Sequence, residues 1–380
     1  MPSAILLHRA RHARAPTEGS TGRHSLGRGS ALQFNFPVDL KKEEKTVSDP
    51  TFRMLRSARA ILAGALAAFC LTQFAPALAD EDPGSARELL RTIKKARLID
   101  LSHTWDKNSP IASVNPTYSF SLQDTHANTL NKFNDGGQLT YASEVMHFSG
   151  QHGAPTLDAI GHIGRGGKLF GGLDAFASTS NPDGIGTGAG HVGANLAIDQ
   201  FPTDLMVNRG ILLDVARFVR GDSSPLDASK KEEKEITAAL LEQTAKHQRV
   251  TLKKGDTVFI RTGWGPYFKS NPDLYKGNDS PGPSVGGAKF LIDHGARIVG
   301  NDTLTFEMRP PVVTSPTFQL FPVHMQLIAD SGIYIIENLN LEELSEAKAY
   351  EFVVVVPPLK VLGGTGSALR AFALVPRDND

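Results

Sequence analysis

The stretch His147-Phe-Ser-Gly-Gln-His152-Gly-Ala-Pro-Thr156-Leu-Asp158-Ala-Ile-Gly-His162-Ile-Gly-Arg-Gly-Gly-Lys-Leu-Phe-Gly-Gly-Leu-Asp174 decides how the rest of the chain is read. Three of the nine histidines after residue 80 fall within sixteen of its residues, one carboxylate lies among them, and the glycines allow backbone to close around them. Imidazole beside carboxylate suits a divalent cation such as Zn²⁺ or Mn²⁺. On a Gly-rich surface loop the same histidines would simply be solvated, and spacing alone leaves both readings open.

On either side of this stretch the pattern is sheet-rich. Leu98-Ile-Asp-Leu-Ser-His103, Gly210–Val215, Asp256–Arg261, Ala296–Gly300, Gly332–Glu337 and Glu351–Pro357 are short β-branched runs bounded by Gly, Pro or Asp, and each predicts a strand. Ser85-Ala-Arg-Glu88 has capping-box spacing and is followed by Leu89, Leu90 and Ile93 on one face, which predicts a short amphipathic helix. The charged run Lys230–Glu235 reads as the solvated face of a helix that continues through Ile236, Leu240 and Leu241. Ala288–His294, stopped by Gly295, predicts another helix, and Asn340 with Glu343 three residues on could cap a further one. The expectation is one α/β domain over residues 80–380 with a mixed, strand-rich core.

Composition narrows the function classes. The chain has 40 Lys+Arg against 40 Asp+Glu and no basic stretch interleaved with aromatics after residue 60, so the electrostatic footprint of a nucleic-acid partner is missing. Residues 1–79 carry 11 basic and 5 acidic residues, leaving 29 and 35 in a mildly acidic body. The single cysteine, Cys70, lies in the first part, so residues 80–380 can form neither a disulfide nor a thiolate metal site. Met54–Arg59 is basic, Ala60–Leu71 is apolar, and Ala77-Leu-Ala79 precedes Asp80: the order of a secretory signal peptide. Its 12 apolar residues fall short of the roughly 20 that cross a bilayer, so no stable membrane anchor is expected, and the product would be periplasmic or secreted. Residues 54–79 are thus the expected leader, and residues 1–53 a mis-called start or a disordered extension.

The central stretch resembles the metal-dependent cyclase family of hydrolases, which includes bacterial kynurenine formamidases and isatin hydrolases. That family's signature is His-x-Gly-Thr-His-x-Asp-x-x-x-His followed by a Gly-Lys-Leu-Tyr-x-Gly-like tail. His152, Asp158 and His162 fall at the first histidine, the aspartate and the last histidine, and Gly167-Lys-Leu-Phe-Gly-Gly172 matches the tail. Asp100–His103, Arg209–Asp214, Gly255–Trp264, Pro281-Gly282, Val299–Asp302, Pro322–His324, Glu337–Leu344 and Gly364–Ser367 extend the similarity in order from 98 to 375. The resemblance implies a swivelling β/β/α-type fold, often a homodimer, that hydrolyses an amide, formamide or lactam, with tryptophan catabolism as the type setting. It places the metal ligands at His152, Asp158, His324 and Glu337, the acid-base at His162, and a small-molecule pocket near His103 and Trp264. Arg261 is as compatible with structure as with substrate contact. Glu337, closing a β-branched strand, needs a cation or a cationic partner in any case.

One departure stands out. Where the family has Gly-Thr-His, this chain has Ala154-Pro155-Thr156, so the second histidine ligand is absent. A neutral hydroxyl binds a divalent cation weakly compared with imidazole, and Pro155 removes a backbone N–H. An alternative register would use His147 and His152 as the ligand pair, at the cost of an insertion before Asp158. No Gly-x-Ser-x-Gly elbow or cysteine nucleophile competes. Gly184-Ile-Gly-Thr-Gly-Ala-Gly190 resembles a dinucleotide loop by composition only, and reads as a flexible loop. The rival from another class is a periplasmic small-molecule binding protein or pseudoenzyme on the same fold, with Thr156 marking a degenerate site.

Overall fold

Nine strands pair into one mixed sheet: β1 (Ala96–Asp100), β2 (Thr156–Asp158), β3 (Val207–Asp214), β4 (Thr257–Arg261), β5 (Ile298–Asn301), β6 (Tyr334–Glu337), β7 (Glu351–Val355), β8 (Gly366–Ala368) and β9 (Phe372–Pro376). Their order across the sheet is β1-β9-β7-β3-β4-β5-β6-β2-β8. The coordinates are a computed structural model that describes residues 85–116, 118–179 and 194–377, all within one unit. The expected leader, the upstream extension and the Gly184–Gly190 loop lie outside the described residues. Among the described residues no helix is long and apolar enough to cross a membrane.

The middle of the sheet is parallel, β3-β4-β5-β6, and all five residues of β4 are buried, as expected of strands covered on both faces. Alternation sorts their side chains. Ile211, Leu213, Val258, Ile260 and Ile335 join one core with Leu241 and Leu291, from the helices Ala238–Gln248 and Val285–Asp293. Leu212, Phe259, Tyr334 and Ile336 face the other core, with Leu157, Val354, Ala373 and Ile99. Both helices start on hydroxyl caps, Thr237 to the Leu240 N–H and Ser284 to the Gly287 N–H.

All six expected strands form, within a few residues of their expected ends. The expected amphipathic helix is present as Ala86–Lys95, begun by Ser85 accepting from the Glu88 N–H, but it buries none of its residues. Two local readings need correction. The run Lys230–Glu235 is not one solvated face: a short helix, Lys231–Lys234, stops where Glu235 and Ile236 pair with Gly282 and Pro283. Glu233 turns inward there, to the Arg220 guanidinium and the Asp227 N–H. Asn340 caps nothing, because the helix Glu342–Glu346 begins after Leu341 without a side-chain cap. The long segment between β1 and β3 holds a hairpin, Ser119–Asp124 with Ser143–His147, that pairs outside the main sheet. The Gly-rich reading of the signature also changes, since residues 152–161 are buried and Thr156–Asp158 is an inner strand.

Candidate metal centre

Register builds the site. β2 runs antiparallel to β6, with Thr156 opposite Glu337 and Asp158 opposite Ile335. Directly opposed residues share a face, as do alternate residues along a strand, so Thr156, Asp158 and Glu337 all project to one side of the sheet. Over that side comes the turn Pro322–His324, which leads into the π-helical Met325–Asp330. A π-turn widens the helix and is a frequent companion of functional side chains.

His324 is held from behind. Glu307, 2% exposed, accepts from the N–H groups of Val323 (3.3 Å) and His324 (3.0 Å) and from Nδ1 of the ring (2.8 Å). That bond places the proton on Nδ1 and turns Nε2 toward Glu337 Oε1 at 3.1 Å and Asp158 Oδ2 at 3.8 Å. Glu337 Oε1 also accepts from the Phe306 N–H at 3.0 Å. Asp158, His324 and Glu337 each offer one ligand atom, and the three atoms lie within 4.8 Å of one another. Asp158 Oδ1 is buried without a hydrogen-bond partner.

The electrostatics follow from crowding. Burial raises the Asp158 pKa to about 6; the neighbouring Glu337 charge adds to this, and His162 and His324 oppose it. Burial alone would lower the His324 pKa, but its hydrogen bonds with Glu307 and Glu337 and their charges outweigh that and hold it well above the ordinary value. Three carboxylates thus converge on a single imidazole, one carboxylate oxygen is orphaned, and the histidine is already oriented by a carboxylate behind it. These residues fit a divalent cation.

The other expected site residues are distributed differently. His162 follows β2 on a tight turn, its N–H bonded to the Ala159 carbonyl at 3.0 Å, half-buried and close enough for its charge to act on Asp158. His152 is buried but does not join the three-residue group. Its Nδ1 accepts from the Ser149 N–H at 2.9 Å, its Nε2 is buried without a partner, and its pKa is lowered, chiefly by burial. His147, the alternative first ligand, sits exposed at the end of the outer hairpin. Thr156 points to the right side, yet its hydroxyl donates to the Gly150 carbonyl at 3.0 Å.

His103 stacks on Phe268 at 4.5 Å, and burial brings its pKa down to about 4, so the ring is neutral near pH 7. Trp264 is buried and spends its indole N–H on the Leu226 carbonyl, so that N–H is not free for a substrate. Arg261 is structural: fully buried, it pairs with Asp214 and Glu342. Sequence reasoning missed Glu307 entirely. Its only signal is an acid in the run after β5, and nothing about that position announces that it will lie behind a histidine seventeen residues later.

Comparisons with known proteins bear on the family and the fold. The family model Cyclase, described as "Putative cyclase", matches residues 99–308. Isatin hydrolase of Roseibium aggregatum is 28% identical over 180 residues, which is 43% of this chain and 63% of that enzyme, so the match spans less than two thirds of the relative. Among solved structures, a novel cyclase superposes with a TM-score of 0.62 at 25% identity, covering 77% of this chain and 93% of that one. Isatin hydrolase A from Labrenzia aggregata bound to benzyl benzoate has a TM-score of 0.55 at 20% identity, covering 77% of this chain and 100% of that one, a likeness of fold.

Proposed function

The chain belongs to the cyclase family, and from that premise we propose that it is a metal-dependent hydrolase of a C–N bond in a small amide, formamide or lactam. The observation that carries the reading is the Glu307–His324 pair aimed at Asp158 and Glu337, with Asp158 Oδ1 orphaned. Asp158, His324 and Glu337 would hold the cation, and Glu307, bonded to Nδ1 of His324, leaves Nε2 as the ring atom that would face the cation once its own proton has left. When bound, a divalent cation supplies Lewis acidity to a substrate carbonyl and favours deprotonation of water near neutral pH.

The chain's own residues do the rest. Asp158 and Glu337 fix the position of the reacting group from one face of the sheet. His162, half-buried and within electrostatic reach of Asp158, can accept a proton from attacking water at its imidazole and return it to the leaving nitrogen. His103, neutral and stacked on Phe268, and the buried Trp264 would offer apolar surface to a small substrate. Elemental analysis of the purified chain, followed by a screen of formamides, lactams and linear amides with and without added Mn²⁺ or Zn²⁺, tests the proposal. Turnover that disappears with chelator and in His162→Ala supports it, and metal-independent turnover contradicts it.

A specific observation keeps the second reading alive. With Thr156 bonded to the Gly150 carbonyl and His152 outside the group, the cluster has three protein ligands where the family signature supplies more. A protein that bound small molecules without turning them over would hold metal weakly and show no rate with any of these substrates.

A further inference from the structure

Arg309 and Ser280 face each other in an antiparallel bridge between the segments 280–283 and 306–309, with the Arg309 N–H on the Ser280 carbonyl at 3.0 Å. Directly opposed residues in such a bridge project to the same side. The two segments are in close contact: a Cβ on Gly282 would lie 2.5 Å from the Met308 nitrogen and 2.6 Å from the Glu307 carbonyl carbon. Glu307 and Phe306, in the same run as Arg309, make the bonds to His324 and Glu337, so the bridge flanks the metal centre. Glu337's charge also acts on Arg309.

Each of these two side chains leaves a polar atom unsatisfied. Ser280 is 1% exposed and its Oγ is buried without a partner; Arg309 is half-buried and its Nε is buried without one. The far side of the guanidinium is spoken for, because Nη1 donates to the Lys276 carbonyl at 3.1 Å. Nε and Nη2 form the edge that grips a carboxylate with two parallel bonds, and Nε is the atom left over. An unpaired donor buried in this way costs free energy unless a ligand satisfies it.

We propose that Ser280 and Arg309 form a receptor for the carboxylate of the substrate, set beside Asp158, His324 and Glu337, so that the molecule cleaved is a small amide bearing a carboxylate. The proposal rests on the reading of that cluster as the catalytic centre. The Arg309 edge takes two oxygens, the Ser280 hydroxyl donates a third bond, and the scissile carbonyl is left to face the cluster. A neutral amide of the same shape would satisfy neither the charge nor the paired donors.

The test is binding, which needs no turnover. Phenylacetate and its neutral isostere phenylacetamide are titrated by calorimetry into the full chain, once loaded with Mn²⁺ and once with chelator present. Phenylacetate is expected to bind at least about tenfold more tightly than phenylacetamide in both states, because bonds to a charged group are the stronger ones. Arg309→Gln should remove that preference, Ser280→Ala should reduce it, and Arg309→Lys should restore part of it through charge without the paired edge. Retained Mn²⁺ affinity in each variant certifies the fold. Phenylacetate binding that is indifferent to Arg309→Gln assigns the anion to the cation or elsewhere and overturns the proposal, as does equal binding of the two probes. Binding with the expected variant pattern but no hydrolysis of any amide leaves the receptor standing and removes the hydrolase reading.

Discussion

Two buried charge clusters lie at the ends of neighbouring strands, and they are closed in different ways. At the ends of β3 and β4, Arg261 is fully buried between Asp214 and Glu342, Arg217 adds a second cation to Asp214 at 3.4 Å, and Ser223 takes another guanidinium N–H. Asp302 beside them accepts the N–H groups of Thr262, Gly263 and Trp264. At the ends of β2 and β6, the His324 imidazole is the one ion-pair partner of Asp158, Glu307 and Glu337 among the described residues, and one oxygen of Asp158 has no hydrogen-bond partner. The first cluster supplies its own counter-charge and so fixes a shape. The second is short of positive charge by about what one divalent cation brings, and so defines a site.

Breaking the closed cluster should give the largest effect. Arg261→Met strands Asp214 and Glu342, and should cost about 3–5 kcal/mol of stability by denaturant unfolding. Its metal affinity, measured below the unfolding transition, should be close to that of the wild type. In the open cluster the priority inverts. Glu307→Gln removes the carboxylate that orients His324, and should weaken Mn²⁺ or Zn²⁺ binding by about 10–100-fold in a titration. A destabilised chain with unchanged affinity would mean that Glu307 belongs with the structural cluster.

Thr156→His sharpens the comparison from the other side. The register that puts residue 156 on the face of Asp158 and Glu337 leads us to expect a further nitrogen ligand and roughly tenfold tighter binding. If affinity does not change while His147→Ala abolishes it, the ligand pair is His147 with His152.

Proton linkage gives the smallest effect, with a definite sign. The pKa values of Asp158 and Asp302 are both raised to about 6, chiefly by burial, against 3.8 for the unperturbed group. In metal-free protein the folded state therefore holds these protons more tightly than the unfolded chain. Their contribution to stability is present below the unfolded value and is lost as pH rises through about 6. Saturating cation requires ionised Asp158 and should reverse its share of that slope, while leaving the share of Asp302 in place. Unfolding curves across this range, with and without metal and in Asp158→Asn, separate the two.

Legibility in the sequence followed the range of the forces involved. β3 through β7 were readable because β-branched runs between Gly, Pro and Asp report local preference and burial together. Asp158, His324 and Glu337 were placed by resemblance, and Glu337 also by the cost of a carboxylate closing an apolar strand. The hydrophobic pattern does not record which histidine turns inward, since that depends on what the backbone of Ser149 and the carboxylate of Glu307 offer after folding. His152 was drawn away by the first, and His324 was held by the second. The solvated reading of Lys230–Glu235 failed for the same reason: Glu233 finds Arg220 and the Asp227 N–H, partners that lie outside the run itself.

The central claim is that Asp158, His324 and Glu337 hold one divalent cation. The most direct measurement is the metal content of the full chain by elemental analysis after loading with Mn²⁺ or Zn²⁺ and exhaustive dialysis, wild type against Asp158→Asn, which keeps size and shape and removes the charge. About one ion per folded wild-type chain is expected, and almost none in the variant, with both proteins unfolding cooperatively. An equal, undiminished metal content in Asp158→Asn, or a wild type that takes up no metal at all, would contradict it.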